Sequence, residues 1–64
     1  MDELSNSIAL LRAARQISQT ELAEAIGVSR KTISTVETGR FTPSVVIALK
    51  LAQFFQVPVE QIFS

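Results

Sequence analysis

Apolar residues recur along this chain at helical intervals. Leu4, Ile8 and Leu11 are spaced by four and three, and Arg15 extends the stripe by four more, the spacing of one face of an α-helix. This predicts a first helix beginning somewhere between Asp2 and Asn6, with no strong cap to mark its start. Ser18-Gln19-Thr20-Glu21 then has the form of a capping box. The serine hydroxyl accepts from the backbone N–H three residues on, and the glutamate reaches back to the serine N–H. A second helix follows, with Leu22, Ala23 and Ile26 on one face, and Gly27 stops it by taking up the left-handed conformation without a Cβ penalty. Only Val28 separates Gly27 from Ser29, another N-cap residue, so a third helix runs from Ser29 to about Thr38 with Gly39 as its terminator.

Beyond it, Phe41 and Thr42 precede Pro43, which disfavours helix at Thr42. Ser44 caps a fourth helix, Val45 to Phe55, and Val57-Pro58 opens a short fifth one ending at Ile62 and Phe63. No stretch alternates with period two, and there are no repeats and no linker. The expectation is an all-α, compact, five-helix domain over residues 1–64. Within it, Ser18 to Thr38 is two short helices joined by a tight glycine turn, a helix-turn-helix layout.

Composition narrows the function. With 64 residues the chain forms one domain at most and has little core. It contains no cysteine and no histidine, which removes disulfides, thiolate metal sites and the commonest general base. Carboxylates, lysines and hydroxyls remain. Glu21 and Glu24 share a helix face where metal ligands could sit, but capping and solvation explain them more simply. An enzyme is not expected, and no metal or cofactor is called for. No segment reads as a signal peptide or a membrane span, so the chain is expected to be soluble and cytoplasmic.

The formal net charge of zero at pH 7 counts mildly against nucleic acid as a partner. The distribution counts the other way, because Arg30, Lys31 and Arg40 lie close together with Glu37 as the only acid among them. On the third helix, with Arg30 set at zero, Ser34 falls at about 40°, Thr38 at about 80°, Lys31 at about 100° and Thr35 at about 140°. Val36 lies near 240° and Ile33 near 300°. The apolar pair pins the helix to a core, and Arg, Lys, Ser and Thr point outward on an arc without an acid. These side chains donate to guanine edges, touch thymine methyls and hold phosphates.

From Ile8 to Phe63 the chain resembles the Cro/CI-type (Xre-like, lambda-repressor-like) helix-turn-helix family. The residues that carry the resemblance are Ile8, Leu11 and Arg12, then Ile17-Ser18-Gln19 and Glu21-Leu22-Ala23, then Gly27-Val28-Ser29 and Thr32-Ile33-Ser34. Glu37, Gly39, Pro43-Ser44, Leu51-Ala52, Val57 and Ile62-Phe63 complete the string. The resemblance implies a domain whose third helix enters the major groove of double-stranded DNA. It implies a phosphate contact, and sometimes a base contact, for Gln19, and places Arg30 and Lys31 at the start of the recognition helix. Arg30 there can fork onto O6 and N7 of guanine. Ser34 and Thr35 occupy the next exposed turn, with Thr35 the better candidate for a base edge or a thymine methyl. Ser29 caps the helix first and touches phosphate second, and Arg40 contacts the backbone. Arg12 and Glu37 match a partly buried ion pair between the first helix and the end of the third, assigned to structure. Gln16 departs from the family in standing where glycine is common, and Phe54, Phe55 and Gln56 replace a smaller consensus.

The fourth helix is apolar nearly all round. Val45, Ala48, Leu49, Ala52 and Phe55 form one stripe, while Val46, Lys50 and Phe54 lie toward the other side. Together with Val59 and Phe63 this is more apolar surface than a small domain buries. It predicts a homodimer built on Val46, Phe54, Val59 and Phe63, and with the family resemblance this implies a transcriptional repressor reading an inverted-repeat operator. The alternative is an antitoxin, or a regulator controlled by a protein partner. An antitoxin would carry an added segment over its toxin, and Ser64 ends this chain one residue past the family pattern. A pure protein-interaction module is a third class, one that would show no salt-dependent DNA binding.

Overall fold

The computed structural model describes residues 6–40 and 42–63. Leu4, the earlier part of the expected start of the first helix, and Phe41 lie outside them. Five helices follow in order: α1 (Ile8–Arg15), α2 (Gln19–Ile26), α3 (Arg30–Glu37), α4 (Val45–Phe55) and α5 (Val59–Ile62). There is no strand among the described residues. α1 starts at Ile8, later than the stripe of apolar residues suggests. The reason is tertiary. Asn6 Oδ1 accepts from the Ile8 N–H at 3.1 Å while its amide donates to the Val36 carbonyl at 2.9 Å, and the Ser7 N–H donates to the Ile62 carbonyl at 2.8 Å. Asn6 and Ser7 are thereby held by the ends of α3 and α5.

Serines open the three middle helices. Ser18 accepts from the Glu21 N–H at 3.0 Å and Glu21 accepts from the Ser18 N–H at 2.8 Å, closing the capping box. Ser29 accepts from Thr32 N–H and Ser44 from Ile47 N–H, each at 3.1 Å. The helix ends share one design as well. Gln16, Gly27, Gly39 and Gln56 all have positive φ, at 58°, 77°, 76° and 59°. In each case the next residue's N–H reaches back to a carbonyl five positions earlier: Ile17 to Arg12, Val28 to Ala23, Arg40 to Thr35 and Val57 to Ala52. Three of these following residues are apolar and pack on the core, namely Ile17, Val28 and Val57. The fourth is Arg40, which is exposed.

The core is a single cluster. Ile8, Leu22, Ile33, Leu51 and Ile62 are fully buried, with Ala23, Ile26, Val36 and Phe55 around them. Every helix contributes, α2 packs on α3 and α4, and α5 packs on α4. On α4 the buried positions are Leu51 and Phe55, with Ile47 half-buried one turn before them. The stripe read from the sequence through Val45, Ala48, Leu49 and Ala52 is therefore rotated. Val45 and Leu49 are 74% and 57% exposed, and Val46 is 60% exposed. In a helix apolar on all sides, periodicity carries no information on which side meets the core. Phe54 is half-buried, edge-on to Phe55 with ring centres 5.1 Å apart, and the Arg15 guanidinium lies 5.2 Å from its centre. That cation–π contact accounts for a charged residue ending the apolar stripe of α1.

Gln16 and Gln56 hold a conformation that costs a residue with a Cβ about 1–2 kcal/mol. Gln16→Gly is expected to raise the stability by about 0.5–1 kcal/mol, after the larger unfolded-state entropy of glycine is set against the relieved strain. Gln16→Val, which is β-branched, should lower it. Urea denaturation midpoints of the two variants against the parent check both signs.

Candidate nucleic-acid interface

α3 is oriented by its two apolar residues. Ile33 is fully buried and Val36 nearly so, which leaves the opposite side of the helix outward. Arg30, Lys31 and Thr38 on that side are exposed, and Ser34 and Thr35 are half-buried. Lys31 and Thr35 line an open groove with Thr42 and Ile47, where α3 faces the start of α4. Gln19, the first residue of α2, lies beside the start of α3: the Arg30 Nη1 donates to its Oε1 at 3.3 Å. The structure thus gathers Gln19, Arg30, Lys31, Ser34 and Thr35 along one side of the domain, and Arg40 extends from the end of the same helix.

Several of these side chains already have partners. The Ser29 hydroxyl caps α3 and also pairs with the Thr32 hydroxyl at 2.9 Å. The Thr35 hydroxyl donates to the carbonyl of Lys31, which turns its proton inward and leaves its methyl group and an oxygen lone pair for other contacts. Glu21 is engaged in the capping box, where its carboxylate also sits favourably at the positive end of α2. Among the described residues no group of acidic side chains is arranged to hold a metal ion.

Beneath this outward side of α3 lies the ion pair. Arg12 Nε donates to Glu37 Oε2 at 2.6 Å, and Arg12 Nη2 donates to Oε1 at 3.2 Å. Arg12 Nη1 donates to the Ile17 carbonyl at 2.9 Å, and Gln19 Nε2 donates to Glu37 Oε1 at 3.0 Å. The two charged side chains are only 19% and 9% exposed. The hydrogen bond to Glu37 raises the pKa of Arg12, against a smaller lowering by burial, and the charge of Glu37 raises it further. Glu37, the one acid near this side, is thus neutralised from below by a guanidinium. Asn6 also reaches the end of α3 through its bond to the Val36 carbonyl, a role not legible in the sequence because its partner lies 30 positions away.

The comparisons with known proteins agree with this architecture. A helix-turn-helix family model matches residues 8–62. The chain belongs to the Cro/CI-type (Xre-like) helix-turn-helix family, whose members bind DNA rather than catalyse a reaction. An uncharacterized HTH-type transcriptional regulator of Methanocaldococcus jannaschii is 42% identical over 60 residues, covering 94% of this chain and 91% of the relative. The transcriptional repressor RstR of the cryptic phage CTXphi from Vibrio cholerae is 37% identical over 60 residues, covering 94% of this chain and 54% of that protein. Among solved structures, the restriction-modification controller protein C.AhdI from Aeromonas hydrophila superposes with a TM-score of 0.77 at 34% identity, over 86% of this chain and 83% of that one. A structure from Bacteroides fragilis gives 0.80 at 30% identity, over 95% and 98%. The chain is a transcriptional regulator with a helix-turn-helix DNA-binding domain. No helix of the described residues is long and apolar enough to cross a membrane.

Removing one member of the ion pair strands the other in a largely desolvated position. Arg12→Met is expected to cost about 3 kcal/mol of stability, and Arg12→Met/Glu37→Leu less than the sum of the two single changes, because no unpaired charge remains. A double-mutant cycle in urea denaturation measures the coupling.

Proposed function

We propose that this chain is a dimeric, sequence-specific repressor that reads an inverted-repeat operator by placing α3 in the major groove. The observation that carries this reading is the outward side of α3, where exposed Arg30 and Lys31 stand beside Gln19 at the start of α2, with the one nearby acid already paired. Arg30 forks onto a guanine, and Thr35 offers its methyl to a thymine. Gln19, Ser29 and Arg40 hold phosphates, the first two at helix N-termini where backbone dipoles favour an anion. Ser34 and Lys31 fill the exposed turn between these contacts. The apolar residue that follows the left-handed position at other helix ends is replaced after α3 by exposed Arg40, which suits a backbone contact.

The likeness to a named phage repressor supports repression rather than activation. The dimer is supported by charge and by apolar exposure. A chain of zero net charge grips DNA weakly, and two subunits double its phosphate contacts. Val46 stands 60% exposed on the outer side of α4, while Phe54, Val59 and Phe63 are half-buried near the chain's end and leave part of each side chain for a partner. A two-fold axis would set the two recognition helices about 34 Å apart, one turn of DNA. A cytoplasmic location goes with this reading.

Selection of operators from random duplex DNA with the purified protein is expected to enrich a palindrome with half-site centres about 10 bp apart. Failure to enrich any such site at low salt would sink the proposal. Arg30→Ala should cost about 1–3 kcal/mol on that site and relax specificity at a single base pair. Arg40→Ala should weaken binding evenly across sequences and reduce the salt slope by about one. Val46→Glu should shift sedimentation toward monomer and reduce operator binding, and should abolish any dependence of the thermal melt on protein concentration while circular dichroism shows the helical fold retained.

A further inference from the structure

We infer that Glu37 is a positioning residue for DNA reading: through Gln19 it orients the Arg30 guanidinium, so that the ion pair with Arg12 governs sequence discrimination as well as stability. The inference rests on the reading of α3 as the recognition helix. Four side chains form one chain of hydrogen bonds, Arg12 to Glu37 at 2.6 Å, Gln19 to Glu37 at 3.0 Å and Arg30 to Gln19 at 3.3 Å. The three charged members each have only one role they can play. A guanidinium only donates and a carboxylate only accepts. The Gln19 amide is the one group whose two ends are sterically alike. Between a carboxylate and a guanidinium it has a single satisfactory orientation, with its NH2 toward Glu37 and its oxygen toward Arg30.

Glu37 therefore sets the direction of the amide, and the amide sets where Arg30 is held. One N–H of Arg30 is taken by Gln19, and its remaining donors are free to fork onto a guanine edge or a phosphate. The second N–H of the Gln19 amide is likewise free for a phosphate. A pre-positioned fork loses less side-chain entropy on binding than a free arginine does. Glu37 follows Arg30 by two helical turns on the same edge of α3, so the carboxylate lies below the guanidinium it controls. Replacing Glu37 with glutamine removes the asymmetry. The Gln19 amide can then turn its NH2 toward Arg30, which sets donor against donor.

Simple electrostatics and positioning predict opposite signs. Removing an acid near the phosphates should strengthen DNA binding generally. If Glu37 positions Arg30, the same change should instead lose discrimination at the base pair beneath Arg30, identified as the one relaxed by Arg30→Ala. The experiment measures dissociation constants of the full chain for its selected operator and for each single-base-pair variant, at fixed salt, on proteins shown by circular dichroism to be folded. Glu37→Gln is expected to reduce discrimination at that one base pair by about tenfold, with binding to unrelated duplex unchanged or tighter. Gln19→Ala leaves the ion pair intact and should relax the same base pair, and the double variant should lose no more than either single one.

Unchanged discrimination in folded Gln19→Ala overturns the inference, as does an even loss on all sequences in Glu37→Gln. Should Glu37→Gln fail to fold, exchange of the Gln19 side-chain amide protons in the parent protein tests the link to Glu37. Slow exchange of one proton supports it, and exchange as fast as in free glutamine overturns it. If the parent enriches no operator, the DNA reading itself has failed. If the parent enriches one and both variants read it normally, only the inference falls.

Discussion

A carboxylate almost closed off from water must be paired and hydrogen-bonded, and Glu37 meets that requirement by drawing three parts of the chain to one point. Arg12 comes from the second turn of α1, Gln19 from the first residue of α2, and Glu37 is the last residue of α3. The same guanidinium holds the Ile17 carbonyl, so the turn between α1 and α2 is tied to the same place. Asn6 adds a bond from the approach to α1 onto the final carbonyls of α3. The ends of α1, α2 and α3 thus meet at one desolvated charge and the groups that satisfy it, beside the outward side of α3.

Around this polar junction the fold is assembled from very short pieces. Helices of eight residues are not stable alone, so each depends on its caps and on the core it shares. The caps are supplied by serines at the starts and by left-handed residues at the ends. A side chain just past three of those ends packs back on the core and closes it. The one end that lacks such a lid, after α3, carries a charged residue toward the side read as the DNA interface. Structure and function are divided by position along a repeated motif rather than by separate segments.

Much of this was legible in local chemistry. The capping box of α2, the serine caps of α3 and α4, the glycine ends and the sidedness of α3 all follow from interactions reaching no more than five positions along the chain. Ile33 and Val36 lie inward where the wheel puts them. The start of α1 was not legible, because Asn6 is bonded to residues at the far end of α3. The side of α4 that meets the core was not legible either, since Val45, Val46 and Leu49 are as apolar as Ile47, Leu51 and Phe55. Gln56 gives no sign of its left-handed backbone in a residue type that rarely adopts it. The inward hydroxyl of Thr35 is a further detail of rotamer rather than of pattern.

The sequence by itself determined a five-helix architecture, the helix-turn-helix at residues 18–38 and the residue types presented along α3. Periodicity, capping and turn chemistry are short-range, and the family string preserves them in order. Tertiary structure decided how the outward side of α3 is held. The chain of hydrogen bonds from Arg12 through Glu37 and Gln19 to Arg30 joins residues 11 to 25 positions apart, and its direction follows from donors and acceptors meeting in space. A sequence can name those four side chains, but only packing brings a carboxylate, an amide and two guanidinium groups to the distances at which each has one role left.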